Sequence, residues 1–318
     1  MRANFASWAE RYGTAVAGVV VLLGCALAAP TFTEGQNLLN VGKDAAYLAI
    51  LSVGFAMALL VAELDLSVAD VASLVAVCTG FLVQQGQPPL VCAGAGLLVG
   101  VLAGLVNGAA VTVLRVPSLI ATLGTAAIAK GLSFGLTGGV AFVGRWPRGF
   151  TGLSRGSVAG VPALLLWTAG VGLLAWWLAK RTRTGARMTA TGEAEEAARL
   201  AGVPTAGMKR LGLGLAGGCA GLAGVLLVAS LSSAAPNMAG DLFLYAIAAV
   251  LLGMTMFEPG RPNVPGTLFS VLVLKALGNA LVLAGAQYWV QDVVLGVVII
   301  GSVAASSGLL RQAAFKTA

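Results

Sequence analysis

The residues able to do chemistry are few, and the usual catalytic combinations are missing. The chain contains no histidine. GLSRG at residues 152–156 fits the GxSxG spacing that holds a nucleophilic serine on a tight turn. Without an imidazole to take the serine proton, a Ser-His triad cannot form. Zinc chemistry of the HExxH kind fails for the same reason, and no GxxxxGK(S/T) phosphate loop occurs. GLGLAG at 212–217 matches GxGxxG nominally, but no strand precedes it, so no dinucleotide site is implied. Cys25, Cys78, Cys92 and Cys219 lie in apolar stretches without CxxC spacing, which reads as small hydrophobic packing. The expectation is a chain with no catalytic residue and no metal site.

What polarity remains is concentrated. ELDLSVAD carries Glu63, Asp65 and Asp70, and TGEAEEAARLAGVP at 191–204 carries Glu193, Glu195, Glu196 and Arg199. Asn107, Ser118, Thr122, Thr125 and Asn279 stand inside apolar runs, as do Lys130 and Lys275. The amides and hydroxyls among them could hydrogen-bond the hydroxyls of a polar solute along a pathway. They could equally hydrogen-bond between helices of a bundle, and the lysines could snorkel to an interface.

The elements that must position these residues follow from composition. Hydrophobic residues make up 58% of the chain, charged residues 10%, and the mean hydropathy is +0.93. A soluble domain carries about 25% charged residues, so the solvent here is lipid. Runs long enough to cross a bilayer as helix lie near 13–29, 45–62, 66–85, 90–113, 118–138, 162–179, 211–231, 243–257, 264–284 and 290–307. The fold class is therefore all-α: a polytopic helical integral membrane protein with about ten transmembrane helices.

The net charge of +7 records topology rather than nucleic-acid binding. With the N-terminus inside, Arg2, Arg11, Arg115, Lys180, Arg181, Arg183, Arg187, Arg199, Lys209, Arg210, Arg261, Arg311 and Lys316 fall on the cytoplasmic side. Only Lys43, Arg145, Arg148 and Arg155 fall outside, as the positive-inside rule requires. Both termini are expected in the cytoplasm, residues 139–161 outside and 180–210 inside. LLGC at 22–25 imitates a lipoprotein cleavage site, but removing that span would break an even, charge-consistent topology. Trp8 and Tyr12 suit an interfacial anchor.

Two segments depart from plain spans. The acids of ELDLSVAD are costly at mid-membrane, which favours a turn at the surface or a broken helix inside the bundle. Asp65 and Ser67 both suit an N-cap for the helix expected after them. Gly96, Gly100, Gly104 and Gly108 recur every fourth residue, a flat stripe for close helix packing. Gly214, Gly218 and Gly217, Gly221 form similar sets.

TGEAEEAARLAGVP predicts a short, water-exposed helix. Thr191 caps it, Glu193 enters its first turn, and Glu195 and Arg199 stand four apart. Gly202 ends it, and Pro204 forbids its continuation. Ala194, Ala197, Ala198, Leu200 and Ala201 give it an apolar face of mostly small residues. Such a helix is either a solvated connector or a handle fitting a groove on a cytoplasmic partner.

EAEEAARLAGVPTAGMKR resembles the cytoplasmic coupling segment of bacterial ABC-importer permeases of the ribose, xylose and arabinose type. LDLSV at 64–68, VNGAAVTVLRVPSLIATLGT at 106–125, LTGG at 136–139, LSSAAPN at 231–237, AIAAVLLG at 246–253 and PGTL at 265–268 are similar to segments of that family, in the same order. The resemblance implies one transmembrane permease domain over 1–318, with a coupling segment at about 181–210. It implies pairing with a second permease, a copy or a paralogue, and with cytoplasmic ATPase subunits that hold the ATP and Mg; this chain itself would bind no cofactor. A periplasmic binding protein would deliver a sugar, and the site would be the inner membrane. Glu193, Glu195, Glu196, Ala197, Ala198, Arg199 and Gly202 are the positions matching the segment that sits in the ATPase groove.

The chain departs from the family pattern at Tyr245, where an acid usually precedes AIAAV, and at Met254, where LGG is usual. FEPGRPNVPG replaces a glycine-rich GGxG loop, and LDLSVAD stands for LDLSVGS. An ion-driven secondary transporter remains the rival, with inverted repeats as its expected mark. An ABC permease for a non-sugar solute is the other alternative.

Overall fold

The computed structural model describes residues 2–316. In chain order, α1 spans Arg2–Ala28, a 3-10 turn covers Pro30–Thr33, α2 spans Gly35–Leu59 and α3 spans Val68–Gln84. Next come α4 (Pro89–Thr112), α5 (Ser118–Thr137), β1 (Phe142–Val143), α6 (Arg148–Arg155), β2 (Ser157–Val158) and β3 (Val161–Pro162). The middle of the chain forms α7 (Ala163–Arg181), α8 (Arg183–Glu193), α9 (Glu195–Leu200) and α10 (Thr205–Leu231). It closes with β4 (Ser233–Ala234), α11 (Leu242–Gly253), α12 (Val264–Leu283) and α13 (Tyr288–Lys316).

Among the described residues, seven helices are long and apolar enough to cross a membrane: α1 from Arg11, α2, α4, α5, α7, α10 and α12. Three shorter apolar helices, α3, α11 and Tyr288–Gly301 of α13, bring the set to the number read from hydropathy. Helices α6, α8 and α9 are too short or too polar to count among these. The side chains of Arg2, Arg311 and Lys316, part of the expected charge asymmetry, fall outside the described ones.

Two compact units emerge, Met1–Ser52 with Leu244–Ala318, and Val53–Phe243. In the first, α1 packs on α12. Gly18 of α1 makes room for a ring: a methyl built there falls 2.6 Å from Phe269 Cε1 and 3.1 Å from Val273 Cγ2. Cys25, Ala29, Phe32, Val41, Ala276 and Ala280 close the core behind it. The loop before α12, where the glycine-rich pattern is lost, is tied by Asn263. Its Oδ1 accepts the Gly266 N–H at 2.8 Å, and its Nδ2 donates to Gly253 O at 3.0 Å and Met256 O at 3.1 Å. One side chain thus caps α12 and holds carbonyls at and just beyond the end of α11.

In the second unit the glycine stripe does what its spacing implies. Gly96, Gly100, Gly104 and Gly108 are all buried on α4. A methyl built on Gly100 falls 2.5 Å from Gly217 O and 2.6 Å from Gly221 Cα, so the backbones of α4 and α10 touch. Gly104 meets Leu213 O and Gly217 Cα, Gly96 meets Thr79 and Val225, and Gly108 meets Arg210. Of the two α10 sets, Gly217 and Gly221 form the contact. Gly214 and Gly218 instead face Leu105 and Val101.

Beyond these helices, β1 pairs antiparallel with β4, Phe142 opposite Ala234 and Val143 opposite Ser233. The GLSRG serine, Ser154, lies buried within α6 rather than on a strand-to-helix elbow. Arg155 Nε donates to Ser230 O at 2.7 Å, fastening α6 to the end of α10.

Candidate functional site

The acids of ELDLSVAD sit in a break between helices. Leu59 ends α2, Val68 begins α3, and Ala62 takes a left-handed φ of 59°. A break leaves backbone groups without helical partners, and in a bundle they must be satisfied by side chains. Two of the five proposed pathway residues, Ser118 and Thr122, do this, and Asn107 and Thr125 brace the break through side chains. Ser118 Oγ accepts the Leu64 N–H at 3.3 Å, and Thr122 Oγ1 accepts the Leu66 N–H at 3.1 Å. Asn107 Nδ2 donates to Ser67 Oγ at 2.9 Å while its Oδ1 accepts from Thr125 Oγ1 at 2.5 Å. Ser67 occupies the N-cap position of α3, but its hydroxyl donates to Asp65 Oδ1 at 2.5 Å instead of capping.

Asn107, Ser118, Thr122 and Thr125 are therefore brought together, with their polar atoms engaged in holding the break. Asn107 and Thr122 have no exposed surface. Asn279 stands elsewhere. It exchanges amide hydrogen bonds with Asn37 of α2, at 2.9 Å and 3.1 Å.

The segment 181–210 differs from the expected single helix. Thr182, not Thr191, provides a cap, accepting the Gly185 N–H at 3.0 Å at the start of α8. Thr191 is buried in the last turn of that helix and donates to Arg187 O at 2.8 Å. Glu193 closes α8, Ala194 breaks the helix at φ −154°, and α9 holds only Glu195–Leu200. The physical reason is packing. Gly192 lies against Leu60 O and Met188 is buried against Met57, Leu60 and Val61, so α8 is fixed to the break and α9 must restart in another direction.

The ion pairs are also rearranged. Arg199 pairs with Glu196 at 2.7 Å rather than with Glu195, and both side chains are exposed. The hydrogen bond and charge of Glu196 hold that guanidinium above its usual range. Glu195 instead reaches Lys209 on α10 at 2.7 Å, and Lys209 reaches Glu63 in the break at the same distance. Side-chain exposure is 7% for Glu63, 17% for Lys209 and 49% for Glu195. One lysine thus joins α9 to the break.

The small-residue face of α9 turns both ways. Ala198 is 6% exposed and packs inward, whereas Ala197 and Ala201 face out and Leu200 is 82% exposed. Gly202 ends the segment at φ 81°, where an L side chain would be strained, and the Val203 N–H closes onto Ala198 O at 2.9 Å. Leu200 is the large apolar residue that α9 presents outward. The sequence pattern placed it among the apolar residues but gave no sign that it would stand clear while Ala198 packs inward.

Two cavities bear on the site. The larger, about 690 Å³, lies between α4, α7 and α10 and is walled by leucines with Trp167, Gly214 and Gly218. Trp167 Nε1 already donates to Leu153 O at 3.0 Å, and Arg210 puts a charge into a largely apolar wall. The smaller, about 270 Å³, is polar and includes Asn279.

These features meet in the comparisons with known proteins. Residues 37–303 match the family model described as branched-chain amino acid transport system / permease component. The chain belongs to this permease family. Among relatives, the Ribose import permease protein RbsC of Bacillus subtilis is 30% identical over 94% of this chain and 93% of its own length. The Escherichia coli (strain K12) protein of the same name is 32% identical over 92% of each. The Autoinducer 2 import system permease protein LsrC of Salmonella typhimurium is 33% identical over 87% of this chain and 80% of its own. No solved structure gives a significant match. The permease is thus a multi-pass membrane protein of the importer class, and the secondary-transporter alternative falls away.

Proposed function

We propose that this permease is the membrane subunit of an ATP-driven importer in a bacterial inner membrane, translocating a sugar or sugar-like solute delivered by a periplasmic binding protein. It pairs with a second permease, identical or paralogous. ATP and Mg bind a separate ATPase that docks on α8 and α9, with both termini and residues 181–210 on the cytoplasmic side. The observation carrying this reading is the pair of polar helices between α7 and α10, too short and too charged to be spans, with Leu200 presented outward and Lys209 gripping both α9 and the break. A push on α9 reaches Glu63 through that lysine, and Glu63 lies beside the Asp65, Ser67 and Asn107 network.

The test is capture from native membranes. Affinity purification of the wild-type chain in mild detergent is expected to bring down an ATP-binding cassette subunit. Leu200→Asp should lower its yield at least fivefold without changing the thermal transition of the permease. Failure of the wild type to capture any ATP-binding subunit would overturn the importer reading. Equal capture by Leu200→Asp would remove Leu200 from the contact.

A further inference from the structure

We propose that Asp44, Tyr245, Lys275, Asn279 and Gln291 form a binding site for a small, uncharged, polyhydroxylated solute. The proposal deepens the importer reading and rests on it for the direction of transport. All five residues line the polar cavity of about 270 Å³ on α2, α11, α12 and α13. Lys275 and Asn279 lie one turn apart on α12, on one face. By helical rise they stand about 12 Å and about 6 Å inside the Leu283 end of that span. Asp44 lies about 13 Å inside the Gly35 end of α2. Lys275 therefore stands well inside an apolar helix, where ionisable side chains are costly and mark solute pathways, and Asp44 enters from the polar first half of α2, where it is exposed.

The chemistry of the lining selects the class. Asp44 only accepts hydrogen bonds and Lys275 only donates, while the amides of Asn279 and Gln291 do both. A hydroxyl also does both, so a solute bearing several of them can answer every wall. One negative and one positive group in the same cavity balance, so a cargo of net charge gains nothing there, and the comparison with leucine tests a zwitterion. Asn37 spends both amide protons, on Phe32 O and on Asn279 Oδ1. Asn279 spends only one of its two in the pair, so a proton and a lone pair remain to offer.

Tyr245 adds a ring, with Lys275 Nζ 5.3 Å from its centroid, and aromatic faces suit the C–H surface of a sugar ring. Gly278 keeps the cavity open toward Gln291, whose Oε1 would lie 3.3 Å from any added methyl. The volume is just below the ~300 Å³ at which drug-sized sites begin, which suits a smaller molecule with a few waters.

The test uses the full-length permease in lipid nanodiscs, with D-ribose as probe and L-leucine as comparison, read by saturation-transfer NMR. Ribose ring protons are expected to take up saturation and leucine protons are not. Asp44→Asn, Gln291→Ala and Asn279→Leu should each cut the ribose signal at least fivefold. Asn279→Leu also breaks the pair with Asn37, so the other two carry the result if it unfolds. Absence of a ribose signal in the wild type, or a signal kept within twofold in Asp44→Asn and Gln291→Ala, overturns the site. A leucine signal lost in those variants overturns the solute class. Capture of an ATP-binding subunit by the same preparation separates the two readings: capture without a ribose signal sinks the site alone, and a ribose signal without capture sinks the importer alone.

Discussion

Lys209→Met tests whether the lysine clasp is structural. The change keeps the length and apolar stem of the side chain and removes its charge. Glu195 is 49% exposed, so its bridge is worth only about 0–1 kcal/mol. Glu63 is 7% exposed, and stripping one partner from a buried pair costs about 3–5 kcal/mol. The 17% exposure of Lys209 admits some water, which reduces the expected loss to about 2–3 kcal/mol. Glu63→Gln should cost less, because Lys209 keeps Glu195 and its access to solvent. The double variant should then be more stable than the sum of the single losses requires, with an interaction energy of about 1–2 kcal/mol. Steric-trap unfolding in bicelles measures all four proteins. If the losses simply add, or if Glu195→Gln costs as much as Lys209→Met, the clasp does not hold the break and the reasoning fails.

The remaining expectations concern packing, docking and topology. Gly100→Val should destabilise by about 3 kcal/mol or more, since both nearest atoms belong to backbone that cannot yield. Gly124→Ala, with no atom within 4 Å of an added methyl, should instead stabilise α5 by about 0.5–1 kcal/mol; thermal unfolding distinguishes the two. Ala198→Trp should lower the thermal transition itself, because Ala198 packs inward, whereas Leu200→Asp should leave it unchanged; matching transitions would contradict the assigned faces of α9. A cysteine at Glu193 should resist a membrane-impermeant maleimide in intact cells, and one at Val158, which is 64% exposed, should react. The reverse pattern would invert the topology.

Much of the helical plan was legible because lipid makes long apolar runs unambiguous. The spans at 90–113, 118–138 and 264–284 fall within about a residue of α4, α5 and α12. The start of α2 was not legible. GQNLLN reads as loop, yet helix begins at Gly35, because Asn37 finds its partner in Asn279, 242 residues away. Hydropathy penalises an amide without knowing what will face it. The same limit applies at α9. Thr191 followed by acids is a good start signal locally, but Gly192 against Leu60 and Met188 against Met57 fix a different helix there. Asn107 and Thr125 could be recognised as polar residues in spans. That they serve the break at 60–67 is a tertiary fact, set by which helices lie next to it.

The contact between α4 and α10 also bears on how the gene can vary. At Gly100, Gly104 and Gly217 even alanine, the smallest replacement, sets its methyl against a backbone oxygen of the facing helix. A backbone oxygen cannot rotate away as a side chain can, so a second change elsewhere has little to offer in compensation. Every amino acid reached from a glycine codon by one base change carries at least that methyl. These codons therefore have no neighbour encoding a residue that fits, and their freedom to drift is confined to the silent third base.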